Sequence, residues 1–234
     1  MHDVDVDMQL LIEGVTQLGF TLDDRQRSQF SRYMQEIYLF NSAYHLVGAE
    51  GSEFVIKHLL DSIAPLAVFK KLAASLPEDV QICDVGSGAG LPGIPLAIML
   101  DQRRFTLIER MGRRAGFLRN AIAGCNLDDR LTVMQSDLSE VREQFGIVVF
   151  RAFHPLVDII RPIGSIVAER GFACAYKGRS EAIQQELADL DALVRTDTGG
   201  HGIVWNTEII PVQVPFLDAP RNLCVLRKDV MVQG

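Results

Sequence analysis

The stretch Asp84-Val-Gly-Ser-Gly-Ala-Gly-Leu-Pro-Gly93 decides the fold of this chain, and it begins at the last residue of the apolar run 80–84. Three glycines at alternate positions allow the backbone to pass very close to a bound ligand. A further glycine and two prolines then open the apolar helical run 96–100. A glycine-rich turn between a strand and a helix directs unpaired N–H groups and the positive end of the helix dipole at a ligand. The sequence therefore predicts a site for a nucleotide-like cofactor.

Two classes of cofactor fit this glycine run. Gly88-x-Gly90-x-x-Gly93 matches the dinucleotide fingerprint, and Glu109 follows it about twenty residues later. An acid directly before the run, here Asp84, is instead common in methyltransferases that use S-adenosylmethionine (SAM), whose ammonium group a carboxylate can hold. A dinucleotide fold usually has an apolar residue at that position. The acid favours SAM, and an NAD-type oxidoreductase remains the alternative.

Length and composition exclude several classes of protein. The 234 residues, 48% of them hydrophobic, are enough for one sizeable core and an appendage. The acidic start does not resemble a targeting segment, and no apolar run approaches the roughly 20 residues of a membrane span. The four cysteines have no CxxC spacing, which indicates buried thiols in a reducing compartment and no metal site. We therefore expect a cytoplasmic protein without a membrane partner.

The net charge of −7 by itself argues against a nucleic-acid partner, but the distribution of the charges along the chain is more informative about partners. Residues 103–119 contain six arginines and a single acid, Glu109, and they lie close in sequence to the glycine run. A local positive field beside a cleft can attract phosphates even on an acidic protein.

The apolar periodicity predicts an N-terminal helical segment over 1–75, followed over 76–234 by alternating strands and helices, which with the glycine run we interpret as a SAM-binding domain. A start resembling a capping box at Thr21 and Asp24 predicts one helix, and another covers 53–72 with an interruption near Pro65. Beyond residue 80 the expected strands are 80–84, 104–109, 131–135, 146–151, 171–176, 203–214 and 222–227, and the helices are 93–100, 112–123, 155–168 and 180–191. The last two strands form a hairpin. This pattern predicts an α/β fold of the class I SAM-dependent methyltransferase (Rossmann-like) type, mostly parallel with an antiparallel last strand.

Ligands of open α/β sheets bind outside the carboxyl ends of the strands, and this rule gives candidate site positions. The first strand delivers Asp84 and the loop through Leu91, and the second ends at Glu109, where a carboxylate can accept both ribose hydroxyls. A surface acid paired with an arginine is the alternative for Glu109. The third strand ends at 136–139, which is either the adenine site or a simple polar loop.

Cations and one aromatic ring follow the next two strands. Arg151 and Phe153 fit a substrate-facing pair, with a core position as the alternative for Phe153. Lys177 ends the fifth strand at the same rim. His58 and Asp61 share one helix face, where packing is a commoner role than catalysis unless this helix covers the cleft.

The chain resembles the bacterial small-subunit rRNA guanine-N7 methyltransferases, known as RsmG or GidB (glucose-inhibited division protein B). The matching positions are Asn41, 58–62, 84–97, 112–114, 117–118, 151–153, 177–178 and 222–226. The resemblance implies SAM as methyl donor and a guanine N7 in the decoding-region loop of 16S rRNA, in the small ribosomal subunit, as acceptor. It places cofactor contacts on Gly86, Leu91, Leu138, Ser139 and Arg151. A non-enzymatic RNA-binding or assembly factor with this fold is a further alternative.

The chain departs from the family at His45 and Val47, where Asn and Thr are usual, and at 137–139. Guanine N7 already offers a lone pair, so the reaction requires no general base, and no residue is assigned a certain catalytic role. Substrate-positioning candidates are Arg151, Phe153, Lys177 and His58. The cofactor-binding candidates, from both the residues and the resemblance, are Asp84, Gly86, Gly88, Gly90, Leu91, Glu109, Leu138, Ser139 and Arg151.

Overall fold

The computed structural model of the chain describes residues 3–151, 155–178, 183–190 and 203–229. Within them a seven-stranded sheet has the order β3-β2-β1-β4-β5-β7-β6. The strands are β1 (Ile82–Val85), β2 (Phe105–Ile108), β3 (Leu131–Met134), β4 (Phe145–Arg151), β5 (Val167–Lys177), β6 (Val204–Val212) and β7 (Arg221–Asp229). Strands β1 to β5 are parallel, and β7 lies antiparallel between β5 and β6. The predicted sheet with an antiparallel last strand is confirmed.

The direction in which the chain adds strands reverses at β1, since β2 and β3 lie on one side of it and β4 and β5 on the other. The loops after β1 and β4 therefore diverge and leave a crevice at the carboxyl edge of the sheet. Every residue of β1 and β2 is buried, as expected for parallel strands covered on both faces.

Helices flank this sheet and precede it. They are α1 (Val4–Gln17), α2 (Asp24–Tyr44), α3 (Gly51–Phe54), a π-helical segment (Val55–Leu60), α4 (Asp61–Ile63), α5 (Leu66–Ala74), α6 (Gly93–Met99), α7 (Gly112–Gly124), α8 (Leu156–Ile166) and a helix over 183–190. The predicted interruption near Pro65 is present. The predicted cap of α2 is wrong: Asp23 is the N-cap and forms the capping box with Gln26, because these side chains are the ones that reach the free N–H groups.

The N-terminal helices share a hydrophobic core with one face of the sheet. Phe30 and Tyr33 of α2 belong to the same buried cluster as Ile82 and Leu107 of β1 and β2. The opposite face packs against the strongly amphipathic helix α8. The division at residue 75 stays a prediction. None of the helices among the described residues is both long and apolar enough to cross a membrane.

Candidate cofactor and acceptor site

The glycine loop after β1 adopts a backbone conformation that favours glycine. Gly86, Gly88 and Gly90 have φ of 69°, 57° and 91°. A Cβ added at Gly90 would lie 2.5 Å from the Cδ1 atom of Ile94, so a side chain there would strain the backbone and displace the Ile94 side chain. The N–H groups of Gly86 and Ser87 donate to the Ile108 carbonyl at 2.9 and 3.1 Å, which ties the loop to the end of β2.

Two buried carboxylates fix this loop from below. Glu109 accepts from the Gly88 N–H at 3.0 Å and from the Met111 N–H at 2.8 Å, with one oxygen each. Oδ2 of Asp84 accepts from the Gly93 N–H at 2.9 Å, while Oδ1 is buried without a partner among the described residues. Burial raises the pKa of Asp84 to about 7, although the Gly93 hydrogen bond opposes this shift.

A cavity of about 780 Å³, here called the glycine-loop cleft, opens between this loop, the ends of β2 and β4, and the N-terminal helices. Seven of the candidate residues line it: His58, Gly86, Gly88, Leu91, Glu109, Leu138 and Arg151. Asp84 is buried beneath the loop, and neither Asp84 nor Gly90 of the loop is part of the lining. Ser139 is not part of it either, and its hydroxyl donates to Asp137 at 2.8 Å.

The residues present fit SAM. The cleft has the size of a small-molecule site. Each Glu109 oxygen uses one lone pair on a backbone N–H and keeps another for a ribose hydroxyl. The apolar side chains of Ile108, Met111 and Leu138 line the same cavity and suit a purine ring. A contact between Asp84 and the SAM ammonium group stays a prediction, because the carboxylate lies outside the lining.

The π-helical segment places His58 over the cleft, which meets the condition for a functional role of this residue. His58 Nδ1 lies 3.0 Å from Nη2 of Arg151. Burial, reinforced by the Arg151 charge, lowers the pKa of His58 to about 4. The imidazole is therefore neutral near pH 7 and accepts this hydrogen bond at Nδ1.

A second cavity of about 290 Å³ adjoins the cleft and shares His58 and Arg151 with it. We call it the arginine pocket, after Arg151 and Arg221, which line it together with Asp61 and Lys177. Lys177 Nζ donates to both oxygens of Glu186, at 3.0 and 2.7 Å, so its charge is already matched. Arg221 belongs to no motif in the sequence, and its position directly before the matching run 222–226 is its one local signal.

Of the positions that depart from the family, Val47, Asp137 and Leu138 line the cleft, whereas His45 and Ser139 are not part of its lining. His45 ends α2 with φ of 49°, and Asn41 Oδ1 accepts from the Val47 N–H at 2.9 Å. Val47 itself lines the cleft. The arginines of residues 103–119 point in different directions. Arg114 lines the cleft, whereas the Arg113 guanidinium lies 5.7 Å from the centre of the Tyr44 ring. Phe153 lies outside the described residues.

Comparison with known proteins identifies the family. The family model for GidB, described as rRNA small subunit methyltransferase G, matches residues 26–199. A ribosomal RNA small subunit methyltransferase G from Photobacterium profundum is 30% identical over 221 residues, which cover 93% of this chain and 97% of the relative. A protein of the same name from Shigella flexneri is 31% identical, with 90% and 93% covered.

Solved structures of methyltransferases share the fold. A predicted O-methyltransferase from Agrobacterium tumefaciens superposes with a TM-score of 0.53 at 23% identity, covering 74% of this chain and 80% of that one. The tRNA methyltransferase TrmI from Aquifex aeolicus gives 0.53 at 13% identity, with 74% and 69% covered. The predicted class I methyltransferase fold is therefore confirmed, and the chain belongs to the GidB family of rRNA small subunit methyltransferases.

Proposed function

We propose that this chain transfers a methyl group from SAM to N7 of one guanine in the decoding-region loop of 16S rRNA. The observation that carries the proposal is the junction of the two cavities at Arg151 and His58. One cavity fits the cofactor, and the other is lined by cations that suit an RNA strand. Family membership makes the chain a SAM-dependent methyltransferase, and the choice of N7 and of this loop is part of the proposal.

The residues of the cleft would hold and orient the two reactants. SAM supplies, when bound, an electrophilic methyl group on a sulfonium centre. The glycine loop, Glu109 and the apolar wall at Leu138 would hold this cofactor. Guanine N7 has an available lone pair, so no side chain has to remove a proton, and alignment can supply up to about 7–11 kcal/mol of the barrier.

Arg151 would position the acceptor without touching N7. Positive charge develops on the purine as the methyl group arrives, so a guanidinium beside the imidazole ring would oppose the reaction. Arg151 is better suited to guanine O6 or to a phosphate, which a guanidinium binds with charge-assisted hydrogen bonds. The Phe153 ring, if it stacks on the base, would add about 1–3 kcal/mol.

Methyl transfer in vitro tests this proposal. The purified chain is incubated with methyl-labelled SAM and either small or large ribosomal subunits from cells that lack the protein. We expect label only in 16S rRNA, at one position that borohydride and aniline treatment cleaves, as that treatment does at N7-methylguanine. The Gly86→Arg variant, with its side chain in the cleft, should transfer none. Label at another atom or in 23S rRNA would contradict the proposal.

Ligand binding separates the two alternatives from a methyltransferase. Calorimetric saturation with NADH and silence with S-adenosylhomocysteine would indicate an oxidoreductase. Absence of methyl incorporation into any ribosomal particle, together with RNA affinity that survives Gly86→Arg, would indicate an assembly factor.

A further inference from the structure

The arginine pocket is formed by side chains from distant parts of the chain. Asp61 comes from α4, Arg151 from the end of β4, and Arg221 from the start of β7. The Tyr176 hydroxyl donates to the Ser62 carbonyl at 2.7 Å, which fixes α4 against the end of β5. The pocket is therefore formed by side chains that three separate elements hold in place, and it is not a gap beside one flexible side chain.

Asp61 lies between the two arginines. Its Oδ1 atom accepts from Nε of Arg221 at 2.8 Å, and its Oδ2 atom lies 3.6 Å from Nη1 of Arg151. The carboxylate is buried, whereas the two guanidinium groups remain partly exposed to the cavity. One buried carboxylate thus orients two cations towards the same space.

The positive charge of this pocket exceeds its negative charge among the described residues. Lys177 is matched by Glu186, and Lys57 at the rim is matched by Glu53. Arg151 and Arg221 share only Asp61. Arg221 also donates from Nη1 to the Pro220 carbonyl, and its Nη2 group has no partner in the described part of the chain. An anion would match the surplus charge and use the remaining donors.

We propose that the arginine pocket binds the phosphate of the acceptor nucleotide, with Arg221 as the contacting residue and Asp61 as the residue that positions Arg221. This inference rests on the proposed function. Because Arg151 and His58 line both cavities, a base at their junction would carry its own phosphate into the arginine pocket. A guanidinium fork matches the geometry of phosphate oxygens, which makes arginine the suitable contact.

Calorimetry with GMP and guanosine, in the presence of S-adenosylhomocysteine, tests the phosphate contact. We expect the wild-type chain to bind GMP roughly 10-fold or more tightly than guanosine, and Arg221→Gln to remove most of that difference. Arg227→Gln is the matched control, since Arg227 lies on the same strand, is exposed and pairs with Asp229. Equal affinity of the wild type for the two ligands, or an unchanged GMP affinity of Arg221→Gln, would overturn the proposal.

Kinetics with small subunits provide the second test. Arg221→Gln should raise KM for RNA by roughly 10-fold with kcat little changed. The slope of the logarithm of RNA affinity against the logarithm of salt concentration should become shallower by about one, as the loss of one phosphate contact requires. A loss of kcat at constant KM contradicts a phosphate contact. If instead the wild type methylates no ribosomal RNA but still prefers GMP, the proposed function fails and the phosphate site remains.

The Asp61→Asn variant tests the positioning role. It retains the shape of the side chain and removes the charge that orients Arg221. We expect it to lose the GMP preference as Arg221→Gln does, and the double variant to lose little more, because the two residues act as one unit. A merely structural residue would lower the melting temperature and leave the ratio of GMP to guanosine affinity at the wild-type value, which would contradict the positioning role.

Discussion

The glycine-loop cleft and the arginine pocket share His58 and Arg151 but are built differently. The cleft is lined by the glycine loop and Glu109 among others, and the loop is held by backbone N–H groups that donate to Glu109 and to Asp84 beneath it. The pocket is formed by long side chains that depend on one carboxylate, Asp61. The cofactor side is thus fixed before any ligand arrives, whereas the acceptor side holds surplus charge for one. Each prediction below alters the cleft or the junction that the cleft shares with the pocket.

The pH dependence of stability should reveal the buried carboxylate beneath the cleft. The pKa of Asp84 is raised from 3.8 to about 7, so between these values the folded chain keeps a proton that the unfolded chain has lost. Protonated Asp84 therefore contributes fully to the free energy of unfolding below pH 4. The contribution is lost as the pH rises to 7, and the loss is roughly 4 kcal/mol in total. Urea unfolding of the wild type and of Asp84→Asn across this pH range measures the loss. The free energy of unfolding of the variant should rise relative to that of the wild type as the pH rises. Parallel profiles would contradict the assignment.

A methyl group under the glycine loop should disrupt the cleft. In Gly93→Ala the new Cβ would lie 2.4 Å from the Cδ2 atom of Leu107 and 2.7 Å from Oδ2 of Asp84. We expect a loss of about 3 kcal/mol in the free energy of unfolding. Gly116→Ala on α7 is the control, because a Cβ there meets no atom within 4 Å, and it should stabilise the chain by about 0.5–1 kcal/mol. Equal effects of the two changes would refute the packing argument.

Removing the side chain at the junction should affect catalysis more than folding. Arg151→Ala removes the partner of His58 and the cation common to both cavities. We expect kcat/KM for methyl transfer to fall by roughly 100-fold while the chain keeps its fold. Arg119→Ala, on the exposed face of α7, should retain activity. Full activity of Arg151→Ala would place Arg151 outside the site.

The Tyr33 hydroxyl of α2 forms a hydrogen bond with the glycine loop. Tyr33 is fully buried and donates to the Ala89 carbonyl at 2.7 Å. Tyr33→Phe should weaken S-adenosylhomocysteine binding roughly 5-fold, which corresponds to about 1 kcal/mol. In the control Tyr38→Phe, the lost hydroxyl is bonded to Asp7 and the affinity should not change. If both variants bind alike, α2 does not position the loop.

The sequence predicts the cleft better than the pocket, and the reason is physical. The glycine run, the strand before it and the helix after it are local, so residue spacing alone places Gly86, Leu91 and Glu109 at one edge of the sheet. It did not indicate that the carboxylates bond to loop N–H groups, since this depends on the turn of the backbone. The pair of Asp61 and Arg221 joins residues 160 positions apart, and no local pattern records it.

Mass spectrometry of 16S rRNA fragments, from cells with and without this protein, tests directly whether the chain methylates N7 of a guanine. We expect one guanine in the decoding-region loop to carry a methyl group at N7 only when the protein is present. The Arg151→Ala variant should restore little of that methylation. Identical fragment masses in the two kinds of cells would show that the chain does not methylate 16S rRNA.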